Sequence, residues 1–163
     1  MMYNITIMTK EEFNKYVERF PKSTQQALSY KPSKMIFLSS VRTCYAPIRV
    51  YRAVKNSDNF CSNDFITMPE ERKMTFEKIT KRLERDKNFT IKSFGVSVNE
   101  DIDNMIASVK YPSERHKGIV VGVMSCENGV ADFEEGKTHH NWYIFQDRMD
   151  DVVRSFRKYE YNL

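Results

Sequence analysis

Apolar residues recur with the spacing of an amphipathic helix in several segments of the chain. In residues 9–20 they fall at i, i+3, i+4 and i+7, and Thr9 with Glu12 forms a capping-box pair. The apolar residues of this segment are Phe13, Tyr16, Val17 and Phe20. Similar spacing predicts further helices from Thr67 through Leu83, over residues 99–110 and over residues 147–159.

Other segments alternate apolar and polar residues, which is typical of β-strands. The predicted strands are residues 48–54, 93–98, 118–124 and 139–145. Residues 118–124 are apolar at successive positions, as expected for a central strand that is covered on both faces.

The order of these elements predicts an α+β fold, with one mixed, strongly twisted sheet covered by amphipathic helices. A length of 163 residues indicates a single domain, and 40% hydrophobic residues provide for a packed core. We expect residues 1–47 to form a helical N-terminal part, with a short second helix near Met35. Residues 48–163 are expected to hold the sheet.

The charge of the chain adds little to these predictions. The chain has 26 Lys and Arg against 22 Asp and Glu, a net charge of +4, and the two signs are interleaved. The predicted helix after Thr67 has a basic face, which we interpret as solvated because Glu77 and Glu84 lie among the bases. A nucleic-acid partner is therefore disfavoured without being excluded.

The cysteines predict free thiols rather than disulfides or a zinc site. Cys44, Cys61 and Cys126 are odd in number and widely spaced, without a Cys-x-x-Cys pair. The N-terminal apolar run is too short for a signal peptide, and no stretch approaches the ~20 apolar residues that cross a bilayer. We expect a cytoplasmic protein that binds neither a metal nor a membrane.

Arg52 is the most informative charged residue, because it lies in phase with the apolar residues of its predicted strand. Ile48, Val50 and Val54 share its face. An unpaired buried guanidinium is strongly unfavourable, so this side chain leaves by the strand end, pairs with a carboxylate or binds an anionic ligand. The residues alone leave these alternatives open.

Two further strands add polar groups. Ser93 and Ser97 share the small polar face of one strand, which a ligand can approach closely. On the last strand, we expect His140, with Tyr143 or Trp142, to hydrogen-bond or stack on a ligand. An ordinary exposed sheet face and a structural histidine are the alternatives. Successive strand residues point to opposite faces, so His139 and His140 are not expected to share a metal.

These segments resemble the arginine-serine-glutamate branch of the ADP-ribosyltransferase fold. The resemblance rests on Arg52 in an early strand and on Ser-Phe-Gly-Val-Ser-Val at residues 93–98, and it spans roughly residues 48–145. It implies that NAD binds in a cleft between two sheets. Arg52 would then contact the phosphates, and Ser93 or Ser97 would lie under the nicotinamide ribose.

The third motif of that family departs from its usual form here. Glu134-Glu135 stands where a Glu-x-Glu or Gln-x-Glu is expected, so the resemblance leaves enzymatic activity open. In an NAD-cleaving enzyme, Glu135 would steady the positive charge that develops as nicotinamide leaves. The predicted catalytic residues are thus Glu135 and His140, and the predicted cofactor-binding residues are Arg52, Ser93, Ser97 and Tyr143.

Two functions from different classes follow from the sequence. The first is an NAD-binding, ADP-ribosyltransferase-like protein that cleaves NAD or modifies a macromolecular target. The second is a non-catalytic small binding protein, of the kind that phages or mobile elements encode, which sequesters a nucleotide or inhibits a partner protein. The chain has no P-loop, Gly-x-Ser-x-Gly or His-Glu-x-x-His motif, which disfavours the common nucleotide hydrolases, serine hydrolases and zinc proteases.

Overall fold

The computed structural model describes residues 8–161, and the first elements in this range are three short helices. These are α1 (Lys10–Val17), α2 (Lys22–Ser29) and α3 (Lys31–Ser40). The Thr9 hydroxyl accepts a hydrogen bond from the Glu12 N–H at 3.1 Å, so α1 begins as its capping box predicts. It ends at Val17 rather than at Phe20, although Phe20 is still buried. Two helices, α2 and α3, occupy the region where one short helix was predicted.

One sheet of seven strands follows, and each neighbouring pair in it is antiparallel. The strands are β1 (Val41–Arg42), β2 (Ile48–Val54), β3 (Val96–Asn99), β4 (Gly118–Met124), β5 (Gly129–Asp132), β6 (His139–Ile144) and β7 (Arg157–Tyr159), in the order β1-β5-β6-β3-β2-β4-β7. The predicted α+β class is confirmed, whereas the predicted mixed sheet is wrong. Alternation reveals which residues share a face but not which way a strand runs. The sheet was predicted to begin at residue 48. It begins earlier, because β1 at Val41–Arg42 already belongs to it.

The remaining helices are α4 (Met68–Glu71), α5 (Phe76–Arg85), α6 (Ile102–Val109) and α7 (Met149–Arg154). The single helix predicted from Thr67 through Leu83 is in fact two, α4 and α5. Between them Lys73 has a left-handed φ of 50°, which interrupts a right-handed helix. Thr75 then caps α5 by accepting a hydrogen bond from the Lys78 N–H.

The C-terminal segment differs most from its prediction. The helix predicted over residues 147–159 ends at Arg154, and β7 follows it. Tyr159 lies on β7 opposite Ile119 of β4. This pairing occupies the outer edge of β4, whose backbone groups would otherwise need other partners.

Both faces of the sheet are covered. On the first face, Val50, Val120 and Trp142 belong to a core that includes Phe65 and Phe156. The prediction that residues 118–124 form a strand is confirmed, and its residues are buried apart from Val123, which is 41% exposed.

On the second face, two separate groups of helices cover the two halves of the sheet. The N-terminal helices cover β5 and β6, where the rings of Phe37 and Tyr143 lie 5.0 Å apart. Helix α6 covers β2 and β4, where Met105 packs with Ala53 and Ile119. Ser97 of β3, on this second face between the two covers, is exposed. Within residues 8–161, no helix is long and apolar enough to cross a membrane.

Candidate functional site

The sheet is interrupted between β2 and β3, and Arg52 fills the interruption. These strands pair at only one position, Tyr51 opposite Asn99. Beyond it, Arg52 donates from Nε to the Asp64 carbonyl oxygen at 2.7 Å and from Nη1 to the Ser97 carbonyl oxygen at 2.8 Å. Burial lowers the pKa of the Arg52 guanidinium to about 10, against the opposing effect of Asp64, so Arg52 is still charged at neutral pH.

A serine–histidine pair includes Ser97, the residue whose backbone carbonyl oxygen accepts from Arg52. Ser97 Oγ and His139 Nε2 are 2.7 Å apart. The register of β3 and β6, with Ser97 opposite Asn141 and Asn99 opposite His139, brings the two side chains together on one face. Burial lowers the pKa of His139, which favours a neutral ring, and the Ser97 hydroxyl can pair with either tautomer of that ring because it both donates and accepts.

These groups border a small cavity of about 90 Å³, which we call the Arg52 cleft. Its polar lining residues are Arg52, Ser97, Asn99, Ser108, His116 and His139. The pKa of His116 is lowered by burial and by the positive charges of Arg52 and Arg115. Among the described residues, no Asp or Glu lines the cleft, so its electrostatic character is positive.

The cleft has the donors and the size to hold one anionic group. A guanidinium carries five N–H donors in a planar fork, and Arg52 uses two of them on carbonyl oxygens. The other three N–H groups form no further hydrogen bond within the described residues, and Arg52 and Ser97 both line the cleft. A volume of about 90 Å³ equals roughly three water molecules at about 30 Å³ each, enough for a phosphate or carboxylate group but not for a whole nucleotide.

Of the predicted cofactor-binding residues, the structure brings Arg52 and Ser97 together. Ser93 lies apart from them, in a 3-10 turn over Ile91–Phe94, where its hydroxyl accepts from the Thr90 N–H at 3.2 Å. The strand predicted from residue 93 therefore begins only at Val96. The reason is local, because Thr90 and Ser93 cap this turn reciprocally.

Tyr143 and His140 lie in the interior rather than at the cleft. Tyr143 is buried beneath the N-terminal helices, and its hydroxyl donates to the Ile91 carbonyl oxygen at 3.2 Å. His140 is buried with Nδ1 2.8 Å from the Asp132 carbonyl oxygen and Nε2 2.7 Å from a Glu100 carboxylate oxygen. Both ring nitrogens are thus occupied by the protein's own groups.

Glu135 is exposed in the loop that joins β5 to β6, outside the lining of the cleft. Its neighbour Glu134 forms ion pairs with Lys92 and Lys137. Hydrogen bonds from Lys137 and Lys92 lower the pKa of Glu134 to about 2. Glu134 therefore serves as the centre of a surface ion-pair cluster.

Sequence reasoning missed His139 and His116 as members of the cleft. A signal for His139 exists, since both His139 and Ser97 lie out of phase with the apolar residues of their strands. No pattern marks His116, which reaches the cleft from the loop before β4.

Within residues 8–161, no group of three His, Cys, Asp or Glu side chains is placed to hold a metal ion. Comparisons with family models, with curated proteins and with solved structures found no match to this chain. The resemblance to ADP-ribosyltransferases stays a prediction, and the function is argued from the geometry of the cleft.

Proposed function

We propose that the protein binds a small phosphate-bearing ligand of the nucleotide type, with a phosphate held in the Arg52 cleft. The observation that carries the proposal is the Arg52 guanidinium, fixed by two carbonyl oxygens with three donors left over. Charge-assisted hydrogen bonds from a fixed guanidinium suit phosphate oxygens well. The Ser97 hydroxyl adds a further donor or acceptor at the same site.

NAD is the first ligand to test, because the sequence resembles ADP-ribosyltransferases. In this arrangement one phosphate occupies the cleft and the remainder of the dinucleotide lies on the open surface around Ser97. Cleavage of NAD needs in addition a carboxylate near the developing positive charge. No carboxylate of the described residues lines the cleft, so the geometry supports binding without turnover better than NAD cleavage.

The test is calorimetric titration of the protein with NAD, ADP-ribose and inorganic phosphate. We expect Arg52→Lys to weaken binding by about 10- to 100-fold, since an ammonium does not reproduce the planar fork. Ser97→Ala should weaken it by about 3- to 10-fold, the range for one neutral hydrogen bond. Ser93→Ala is the matched control, because Ser93 lies in the same segment but outside the cleft, and it should bind as the parent does.

Assaying nicotinamide release in the same samples separates the two functions. Bound NAD that stays intact supports the binding function. Release that Glu135→Ala abolishes, while binding persists, would instead establish the ADP-ribosyltransferase-like function. Failure of all three ligands to bind would refute the proposal.

A further inference from the structure

The positive charge of this protein is concentrated in one short segment. Residues 72–87 contain seven Lys and Arg against three Asp and Glu, a net charge of 7 − 3 = +4. The whole chain has 26 Lys and Arg against 22 Asp and Glu, which is also +4. The rest of the chain therefore has no net charge, with 19 Lys and Arg against 19 Asp and Glu.

Helix α5 arranges the centre of this segment into one row of cations. The row, called here the basic face, consists of Lys78, Lys81, Arg82 and Arg85, spaced at i, i+3, i+4 and i+7. The apolar side of the helix faces the protein, where Ile79 is buried and Leu83 packs against the core. Of the basic face, Lys78, Lys81 and Arg85 are exposed to solvent, whereas Arg82 is half-buried with its guanidinium over the Phe89 ring.

Most of the basic face has no anionic partner. Within residues 8–161, Lys78, Lys81 and Arg85 form no salt bridge, although Glu77 and Glu84 belong to the same helix. Arg82 alone is paired, with Asp86 at 3.3 Å. By contrast, several cations elsewhere are held by carboxylates, namely Arg19, Lys92, Lys137, Arg148 and Lys158.

The side chains of the basic face also border a shallow open groove of about 630 Å³, together with Met74, Asp86 and Lys87. Lys and Arg lay their alkyl stems along such a surface and keep their charged ends in solvent. The charged ends are therefore presented along the rim of the groove, where an extended polyanion can contact several at once.

We propose that the basic face of α5 binds the phosphate backbone of a double-stranded nucleic acid, without reading its sequence. From Lys78 to Arg85 the helix rises by about 10 Å, the distance over which one DNA strand passes about three phosphates. The face consists of two lysines and two arginines and has no Asn or Gln side chain to read adenine edges. Three of these four cations lack a carboxylate partner among the described residues, which suits the closely spaced charges of a phosphate backbone.

The experiment is fluorescence anisotropy of the full chain with a labelled DNA duplex and a labelled RNA duplex of about 20 base pairs and mixed sequence. Three or four phosphate contacts predict a slope of log K against log salt near −3. Affinity should then fall about 40- to 150-fold between about 50 and about 200 mM salt. Changing the duplex sequence should leave the affinity within about twofold.

The matched variants change the same amount of charge at different places. The triple change Lys78→Glu, Lys81→Glu and Arg85→Glu should reduce affinity more than about tenfold and flatten the salt slope. The control, Lys10→Glu, Lys15→Glu and Lys31→Glu, alters exposed lysines of the N-terminal helices and should leave affinity within about threefold. If the glutamate variant does not fold by circular dichroism, glutamine at the same three positions keeps the test valid.

Three outcomes would overturn the proposal. The first is the absence of salt-dependent binding to either duplex, and the second is an equal loss of affinity in the control. The third is binding to an acidic peptide such as polyglutamate but to neither duplex, which would assign the basic face to an acidic protein instead.

Discussion

Strand β2 pairs with its two neighbours in very different ways. With β4 it is in register along its whole length, from Ile48 opposite Met124 to Val54 opposite Gly118, and the aliphatic residues on one face of this pair belong to a buried core. With β3 it pairs at one position only, and beyond it Arg52 donates to one carbonyl oxygen of β3, that of Ser97, and to the Asp64 carbonyl oxygen outside the sheet. Where the backbone hydrogen bonds between the strands end, a charged side chain supplies one of its own, and the proposed function uses its remaining N–H groups to bind a ligand.

The strongest test of the β4 side is Met124→Asp. Met124 is 0% exposed and lies opposite Ile48, so the variant buries an unpaired carboxylate and should lose at least about 4 kcal/mol of unfolding free energy. That loss is most of the stability of an ordinary domain of about 5–15 kcal/mol, and urea unfolding monitored by circular dichroism measures it.

The matched control is Val123→Asp, on the same strand but 41% exposed. It should cost less than about 1 kcal/mol, because the carboxylate stays in solvent. Equal losses in the two variants would contradict the assignment of β4 as a covered central strand.

On the β3 side, Arg52→Met should cost about 2–4 kcal/mol, because the carbonyl oxygens of Asp64 and Ser97 lose their donor. Arg52→Lys should recover part of the loss. Hydrogen exchange adds a local readout, since the amides around Ser97 should lose protection in Arg52→Met before those that join β2 to β4. Equal loss of protection on both sides would show that the pairing of β2 with β3 does not depend on Arg52 more than its pairing with β4 does.

A smaller effect concerns pH. Burial lowers the pKa of His139 below its ordinary value of 6.5, so between these two values the unfolded chain binds more protons than the folded one. Stability should therefore fall as the pH drops from 7.5 through 6.5 toward the folded pKa, and this contribution should level off below it. The neighbouring charges are Asp132 and Glu134, which raise the pKa, and His140 and Lys137, which lower it.

Urea midpoints at several pH values in the parent and in His139→Gln measure this contribution, which should be missing from the variant. Nuclear magnetic resonance of the His139 ring gives its pKa directly. Bound phosphate should raise that pKa, because an anion in the cleft favours the imidazolium form. A His139 that titrates at or above its ordinary value would contradict the argument.

Local sequence patterns could predict those helices and strands that are long enough to show a clear helical spacing or alternation of apolar residues. Helix α1, strand β2 and strand β4 are of this kind. β1 and β7 have two and three residues, too few to show a period, and their pairing depends on distant strands. The antiparallel direction of the sheet is likewise a property of the connections and not of any one strand.

For the cleft, the sequence pointed to Arg52 because a charge on an apolar face demands a partner. The partners are carbonyl oxygens of Asp64 and Ser97, which every residue possesses and which therefore leave no trace in a sequence. His139 could not be assigned to the cleft from β6 alone, because its neighbour across the sheet depends on how β6 is aligned with β3. Only the register of Ser97 opposite Asn141 shows which histidine shares a face with Ser97.

The smallest expected effect on stability concerns the ion pair between Lys92, which precedes β3, and Glu134, in the loop before β6. Glu134 is about one-third exposed, so Glu134→Gln should cost less than about 1 kcal/mol at neutral pH, well below the cost of Arg52→Met. The folded pKa of Glu134, about 2, lies below its ordinary value of 4.5, so its contribution is present above pH 4.5 and is lost as the pH falls toward 2. Carbon-13 resonance of the Glu134 carboxyl group measures the pKa, and Lys92→Gln should raise it. A cost above about 2 kcal/mol would mean that surface charge, and not the Arg52 bridge alone, holds β3 in the sheet.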